Sequence, residues 1–499
     1  MTGRIRLRYS TTLNYMSMLL KIAVSLAFTV VVARKLTVKE YGLWGVILSL
    51  SAVMLSPLSF WDFWAARWHA RGREEASVTG LLVTLIYALI AGLMIITIGY
   101  ISPRLFGLNS AMFFLIAAPI ATLTCIQAYM LSLSRVVRPE LLGYTNILYD
   151  LLRLVLVLFF LIIFKIGLLG VIAAIELSLL VSDIYLAHAL SSHGTFKGSI
   201  NLGMITEWAR LSPIPAFNMT VSGLRGGIRA FLAYLTGSPL EVSYLNVSIT
   251  VETPFLRASV AATPALYAKL LKGRGSRGDL GESLSIIALF SGFIASLLLA
   301  APKGVLGLFG HNYEAANIIL QLVTVYAVLQ GFSNIFETSL LGFEKADREG
   351  GVSFSSLAKS FLIKVPAAKF LSYIFVYGVA LIAALLEKEP YMVLLVLAVA
   401  LAASRVPLLA WMYSSTRKVL GFKPPKDPII PVFISSIIVS MYFIFAGVNV
   451  VYSHTLVLQL LFLVWHSIIG LAIYLITMYT LSKWFRVFIR SAISYVIST

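Results

Sequence analysis

Fourteen apolar segments fill the 499 residues, and the positive charge on the connections between them alternates from side to side. The spans fall at 11–33, 41–66, 78–100, 111–133, 143–164, 169–189, 210–236, 240–268, 283–301, 313–341, 355–380, 391–414, 429–448 and 455–482. Each has the length needed to cross a hydrocarbon core of about 30 Å. With the N-terminus placed in the cytoplasm, the inner segments carry 23 Lys and Arg and the outer ones 7. The positive-inside rule then sets both termini in the cytoplasm. The pattern predicts an all-α polytopic membrane protein of about fourteen transmembrane helices.

Composition excludes the main soluble alternatives. Charged residues make up 12% of the chain and hydrophobic ones 59%, against about 25% charged in a soluble domain. The net charge of +18 suggests no nucleic-acid partner here. Most of the excess sits on inner loops, where it orients the chain and meets anionic membrane lipid. One cysteine, Cys125, allows no intrachain disulfide and no cysteine metal cluster. The first apolar run lacks a small-residue cleavage site and is expected to stay as an uncleaved anchor. No outer connection much exceeds about a dozen residues, which leaves no room for a soluble catalytic domain. There is no G-x-x-x-x-G-K-[ST] loop and no H-E-x-x-H, and the six histidines show no ligand spacing. The expectation is a protein that is not an enzyme and holds no metal or organic cofactor.

Four parts are expected along the chain: a six-helix bundle over 1–190, a cytoplasmic linker over 191–209, a second six-helix bundle over 210–416, and two further helices with a tail over 417–499. The linker is read from the polar, Gly- and Ser-bearing run Leu190 to Ser199. The two halves carry a weak echo. Leu36-Thr37 leads to Glu40 between spans one and two, and Leu235-Thr236 leads to Glu241 between spans seven and eight. A Glu opening a helix is favoured by the helix dipole. Six spans per half give parallel repeats, and transporters commonly place a site between repeats.

The run Val32-Ala33-Arg34-Lys35-Leu36-Thr37-Val38-Lys39-Glu40-Tyr41-Gly42-Leu43-Trp44 resembles the A-R-x-L-x-x-x-E-Y-G-x-Y/W run after the first span of the polysaccharide flippases. These belong to the multidrug/oligosaccharidyl-lipid/polysaccharide (MOP) exporter superfamily. Leu235 to Val242 is similar to that family's second-half run, and the six-plus-six-plus-two layout also matches. The chain departs from the family at Phe60-Trp61-Asp62-Phe63-Trp64, where smaller apolar residues are usual. The resemblance implies a V-shaped pair of six-helix bundles around a central cavity, and transbilayer movement of a polyisoprenyl-linked sugar. The alternative is an ion-coupled multidrug or small-molecule exporter of the same superfamily. A plasma-membrane location, a lipid-linked glycan as substrate and glycan-assembly enzymes as candidate partners follow from the first reading.

An anionic phosphate and its glycan cannot cross hydrocarbon unaided, because desolvation is costly. Cations inside spans are therefore the candidate substrate ligands, since a charge there must be paired or face water. They are Lys21, Arg153, Arg225, Arg229, Arg257, Lys364 and Arg405. Arg225 and Arg229 are four apart and share one helix face. Gly223, Gly226 and Gly227 thin the helix around them, so that either a ligand or a partner helix can approach. Arg153 follows Asp150 by three residues and is equally readable as a local pair. Lys364 and Lys369 lie about 140° apart round a helix, so both cannot face one cavity equally well. In-span carboxylates Asp62, Glu176, Asp183 and Glu252 are candidates for Na⁺ or H⁺ coupling; they also serve to neutralise the cations. Trp61 and Trp64 have two readings, interfacial anchoring or stacking on a sugar.

Overall fold

The computed structural model describes residues 7–106, 110–210, 213–271, 277–343, 360–450 and 455–498. All regular structure among them is helical, and a helix occupies each of the fourteen expected spans. They are α1 (Leu7–Lys35), α2 with α3 (Val38–Leu55 and Ser59–Ala70), α4 (Glu75–Phe106), α5 (Ala111–Val137), α6 (Glu140–Leu158) and α7 (Leu168–Ser192). After a short α8 (Gly203–Arg210) come α9 (Pro213–Thr236), α10 (Pro239–Leu271), α11 (Arg277–Ala300), the brief α12 (Pro302–Leu306), α13 (Asn317–Phe343), α14 (Phe361–Leu386) and α15 (Pro390–Leu420). The chain closes with α16 (Lys426–Phe445), α17 (Leu456–Leu481) and α18 (Lys483–Ser498).

Among the described residues, eleven helices are long and apolar enough to cross a bilayer. Their outward faces are apolar: Ile86, Leu89 and Leu93 of α4, and Val457, Leu461 and Ile468 of α17, are exposed. Surfaces of that extent are disfavoured in water and match lipid tails. The chain is a multi-pass membrane protein.

Two compact units divide the chain, residues 1–246 with 384–393, and residues 247–383 with 394–499. In the first, α4 packs on α5, α1 on α6, and α7 on both α5 and α6. Pro57 breaks the second span, and a 3-10 turn at Ser56–Leu58 separates α2 from α3, because proline cannot donate the interior helix hydrogen bond. The Leu-Thr-…-Glu echo forms as local chemistry dictates at its first copy. Thr37 accepts from the Glu40 amide at 3.2 Å, and Glu40 accepts from the Thr37 amide at 2.9 Å, a complete capping box. At the second copy Gly237 takes a left-handed φ of +60° and Ser238 Oγ accepts from the Leu240 amide at 3.3 Å.

The two junctions also meet. Ser243 of α10 donates its hydroxyl to the Val38 carbonyl. Gly42 lies so close to α10 that a Cβ there would fall 1.8 Å from the Pro239 carbonyl oxygen. Further along, α9 packs on α2.

The polar run after α7 is tied to the first unit by hydrogen bonds. Ser77 Oγ donates to the Thr195 carbonyl at 2.6 Å, and Asn201 N donates to Thr79 Oγ1 at 3.0 Å. Helix α8 buries Met204 and Trp208 against Trp68 and Leu190, and Arg73 pairs with Glu207 at 3.2 Å.

In the second unit α11 packs on α13 and α16, and α16 on α17. Tyr474 of α17 donates to the Leu289 carbonyl at 2.8 Å. Asp427 accepts from the backbone amides of Lys483 and Trp484 at 2.9 and 3.2 Å. It thereby caps α18, whose first amides have no partner within the helix.

Candidate functional site

Burial of charge in a membrane protein is costly unless each charge is matched, and among the described residues two in-span ion pairs form, Arg153 with Asp150 and Lys369 with Glu337. On α1, Lys21, Ser25 and Phe28 lie on one face by their spacing. They meet Asn146, Tyr149, Asp150 and Arg153 of α6. Lys21 Nζ donates to Asn146 Oδ1 at 3.3 Å. Arg153 Nη2 donates to Asp150 at 3.0 Å and to Ser25 Oγ at 3.2 Å. Its guanidinium sits 4.5 Å from the Phe28 ring centre and 5.1 Å from that of Tyr149. Asp150 is 1% exposed, and the local pair with Arg153 gives its Oδ1 a counter-charge where water has no access.

Asp183 of α7 is different. It is 6% exposed, and among the described residues neither of its carboxylate oxygens has a hydrogen-bond donor. Gln127 of α5 lies beside it but donates to Ser182 Oγ at 2.7 Å. Glu176, two turns earlier on α7 and half-buried, likewise has its Oε1 buried with no donor.

Arg225 is exposed on α9. Arg229 donates to Asn246 Oδ1 at 2.6 Å. The thin face of α9 is taken by a partner helix. A Cβ on Gly226 would stand 2.9 Å from the Ala52 Cβ of α2, and Ser49 of α2 donates to the Gly226 carbonyl at 2.5 Å. Of the two approaches that the glycines left open, helix packing is the one seen.

In the second unit, Arg405 is 1% exposed and lies 4.7 and 5.1 Å from the ring centres of Tyr373 and Tyr326. Lys364 is exposed, with its ammonium 5.7 Å from the Phe361 ring centre. Lys369 pairs with Glu337. Glu252 is 3% exposed. The Arg257 side chain lies outside the described residues.

A pocket of about 340 Å³ opens in the first unit between α3, α5 and the start of α9. Asp62, Arg67, Arg135 and Asn218 supply its polar wall, with Ser59, Ser132 and Phe63 beside them. From sequence, Asp62 is a candidate for ion coupling. Arg67 and Arg135 are not, because at the ends of spans two and four they read as loop cations that only orient the chain. The available signal was Phe63 four residues before Arg67. That spacing stacks a side chain on its neighbour one turn away, and the Arg67 guanidinium sits 4.1 Å from the Phe63 ring centre.

Compared by sequence, the chain matches no protein-family model and no curated protein. Compared by structure, it is similar to the lipid II flippase MurJ in an inward closed conformation. The TM-score is 0.67 at 14% identity, with 97% of this chain and 100% of that one covered. The chain has the MOP exporter fold. An inward-facing multidrug resistance MATE family transporter of the MOP superfamily gives a TM-score of 0.60 at 14% identity, covering 82% of this chain and 98% of that one. A MOP superfamily transporter from Pyrococcus furiosus, described as having a binding pocket of reversed polarity, gives 0.52 at 16% identity, covering 83% and 96%. These MOP neighbours are transporters and a flippase. In the MOP fold found here, Lys21 and Arg153 both lie at the α1–α6 interface, on different partners, and Arg225 and Arg229 lie on α9. Arg405 and Lys364 belong to the second unit.

Proposed function

We propose that this protein is a flippase that moves a polyisoprenyl-(di)phosphate-linked oligosaccharide or polysaccharide repeat unit from the cytoplasmic to the outer leaflet by alternating access. Extent carries the reading. The likeness to a lipid flippase runs over 97% of this chain, and the likeness to a multidrug transporter over 82%. The uncovered fraction of the latter is about the size of the 417–499 segment. The in-span arginines suit an anionic cargo, because guanidinium forks match phosphate oxygens. In this reading Arg225 and Arg229 lead the substrate contacts, with Lys21, Arg153, Arg257, Lys364 and Arg405 as the remaining candidates. The protein sits in the plasma membrane with both termini in the cytoplasm.

The test is the sidedness of lipid-linked oligosaccharide in cells depleted of the protein. Accumulation on the cytoplasmic leaflet, reversed by re-expression, supports flipping and identifies the substrate in one extract. Normal sidedness removes the reading.

A second reading, an ion-coupled small-molecule exporter, is favoured by one observation: the buried Asp183 carboxylate, which lacks a donor among the described residues. An isosteric Asp183→Asn change separates the two. Loss of proton- or sodium-driven efflux of a small cation, with lipid-linked glycan sidedness intact, selects the exporter.

A further inference from the structure

Outside the paired charges described above, the pocket between α3, α5 and α9 holds a group of polar side chains that make no hydrogen bond or close ion pair with one another, Asp62 and Arg135 interacting only at longer range. Asp62, Arg67, Arg135 and Asn218 all line it. Elsewhere in the same unit opposite charges close up, as in Arg73 with Glu207, Arg138 with Glu140 and Arg153 with Asp150. Among the described residues, no side-chain hydrogen bond or ion pair joins Asp62, Arg67, Arg135 or Asn218 to another side chain. The two serines are already committed as donors. Ser59 Oγ gives its proton to the Ser56 carbonyl at 3.0 Å, and Ser132 Oγ to the Tyr129 carbonyl at 2.8 Å. They therefore offer the pocket lone pairs.

The aromatic run that departs from the flippase pattern explains how the polar group is held open. Trp61 Nε1 donates to Thr84 Oγ1 at 2.8 Å, and its ring meets Tyr87 edge-on at 5.3 Å. Trp61 thus anchors α3 to α4. Phe63 stays 40% exposed and backs the Arg67 guanidinium at 4.1 Å, which directs the charge along the pocket wall. Two guanidinium forks match the oxygens of a phosphate. A carboxylate, an amide and two hydroxyl acceptors match the donors of a sugar ring. A volume of about 340 Å³ lies at the small end of the range for ligand sites, room for one phosphorylated sugar and not for a whole glycan.

We propose that this pocket is a sugar-phosphate subsite, with phosphate on Arg67 and Arg135 and sugar hydroxyls on Asp62 and Asn218. The assignment rests on the flippase reading for its biological source, the phosphate-proximal sugar of a lipid-linked glycan. The chemistry of the pocket alone would equally take a free sugar phosphate.

Binding to the full-length protein in detergent tests it, independently of transport. The probes are glucose 1-phosphate, N-acetylglucosamine 1-phosphate, inorganic phosphate and a farnesyl phosphodiester of glucose, titrated calorimetrically. At least one sugar phosphate is expected to saturate the protein and to bind more tightly than inorganic phosphate. Arg67→Gln and Arg135→Gln are each expected to weaken that binding by about tenfold or more, at an unchanged melting temperature. Asp62→Asn is expected to retain phosphate and lose the preference for the sugar. Arg73→Gln, outside the pocket, is the control with wild-type affinity. Tighter binding of the farnesyl diester than of the free sugar phosphates identifies the lipid-linked source, and equal binding the free one. No saturable binding of either sugar phosphate, or binding unaltered in both arginine variants, overturns the subsite. Should an arginine variant fail to fold, protection of Arg67 and Arg135 from phenylglyoxal by the sugar phosphate in the wild-type protein decides the same point. Normal lipid-linked glycan sidedness together with intact binding would overturn the flippase reading and leave the subsite standing.

Discussion

The Ser49 hydroxyl on α2 donates to the Gly226 carbonyl on α9 at 2.5 Å and accepts the Ala230 amide proton at 3.1 Å. One small side chain thus stitches two helices that lie more than 170 residues apart in the chain. Small residues are what permit it, since Gly226 brings the α9 backbone within reach.

About two turns earlier on α2, the contact with α10 predicts the cost of adding bulk. At Gly42 a new Cβ would meet a backbone carbonyl at 1.8 Å, and backbone cannot swing aside. Gly42→Ala is expected to lower the melting temperature by an amount corresponding to about 1–3 kcal/mol, read by thermal unfolding of the detergent-solubilised protein. Ser49→Ala should cost less, about 1 kcal/mol. A Gly42→Ala protein as stable as wild type would mean that the helices part readily.

The Asp150–Arg153 pair predicts an asymmetric double-mutant cycle. Arg153→Met leaves a carboxylate that is 1% exposed without its main partner, and is expected to destabilise by about 3–5 kcal/mol. Combining it with Asp150→Leu should restore most of that loss, because the buried charge goes as well. Additive losses in the thermal unfolding series would show that the two side chains act independently.

Arg225 and Arg229 carry the strongest expectation for transport. Alanine at both positions should abolish flipping while the protein stays folded, because Arg225 is exposed and the contacts of Gly226 and Ala230 with α2 are left in place. The check is glycan sidedness beside a size-exclusion profile of the purified variant. Wild-type flipping by a well-folded double variant removes them from the site.

Arg405 separates packing from cargo contact. It fills space between Tyr326 and Tyr373, so Arg405→Ala is expected to reduce stability by about 3 kcal/mol or more through lost volume and lost cation–π contact. Arg405→Lys, which keeps charge but not the planar fork, should recover only part. An Arg405→Ala protein with wild-type melting behaviour and no transport would reassign the residue to the substrate.

Local hydropathy was enough to place the spans. Helices occupy the fourteen apolar segments, the second split at Pro57, with described ends up to about six residues from the expected bounds, because hydrocarbon thickness fixes the length and the backbone must satisfy its own hydrogen bonds there. Thr37 and Glu40 were likewise legible, since a capping box is complete within four residues. The Asp150–Arg153 pair was readable as one of two options, being a one-turn contact.

Which distant groups meet was set by packing between helices. Sequence shows that a buried charge needs a polar, charged or aromatic partner but not which one. Lys21 finds Asn146, Lys369 finds Glu337, and Arg405 lies between two tyrosines from other helices. The glycines of α9 left ligand and helix equally open until α2 was seen against them. Arg67 and Arg135 read as topogenic loop charge because hydropathy cannot tell a cation that leaves a span from one that turns back along it. That choice depends on the packing of α3, α5 and α9, contacts between segments scores of residues apart, which no local pattern encodes.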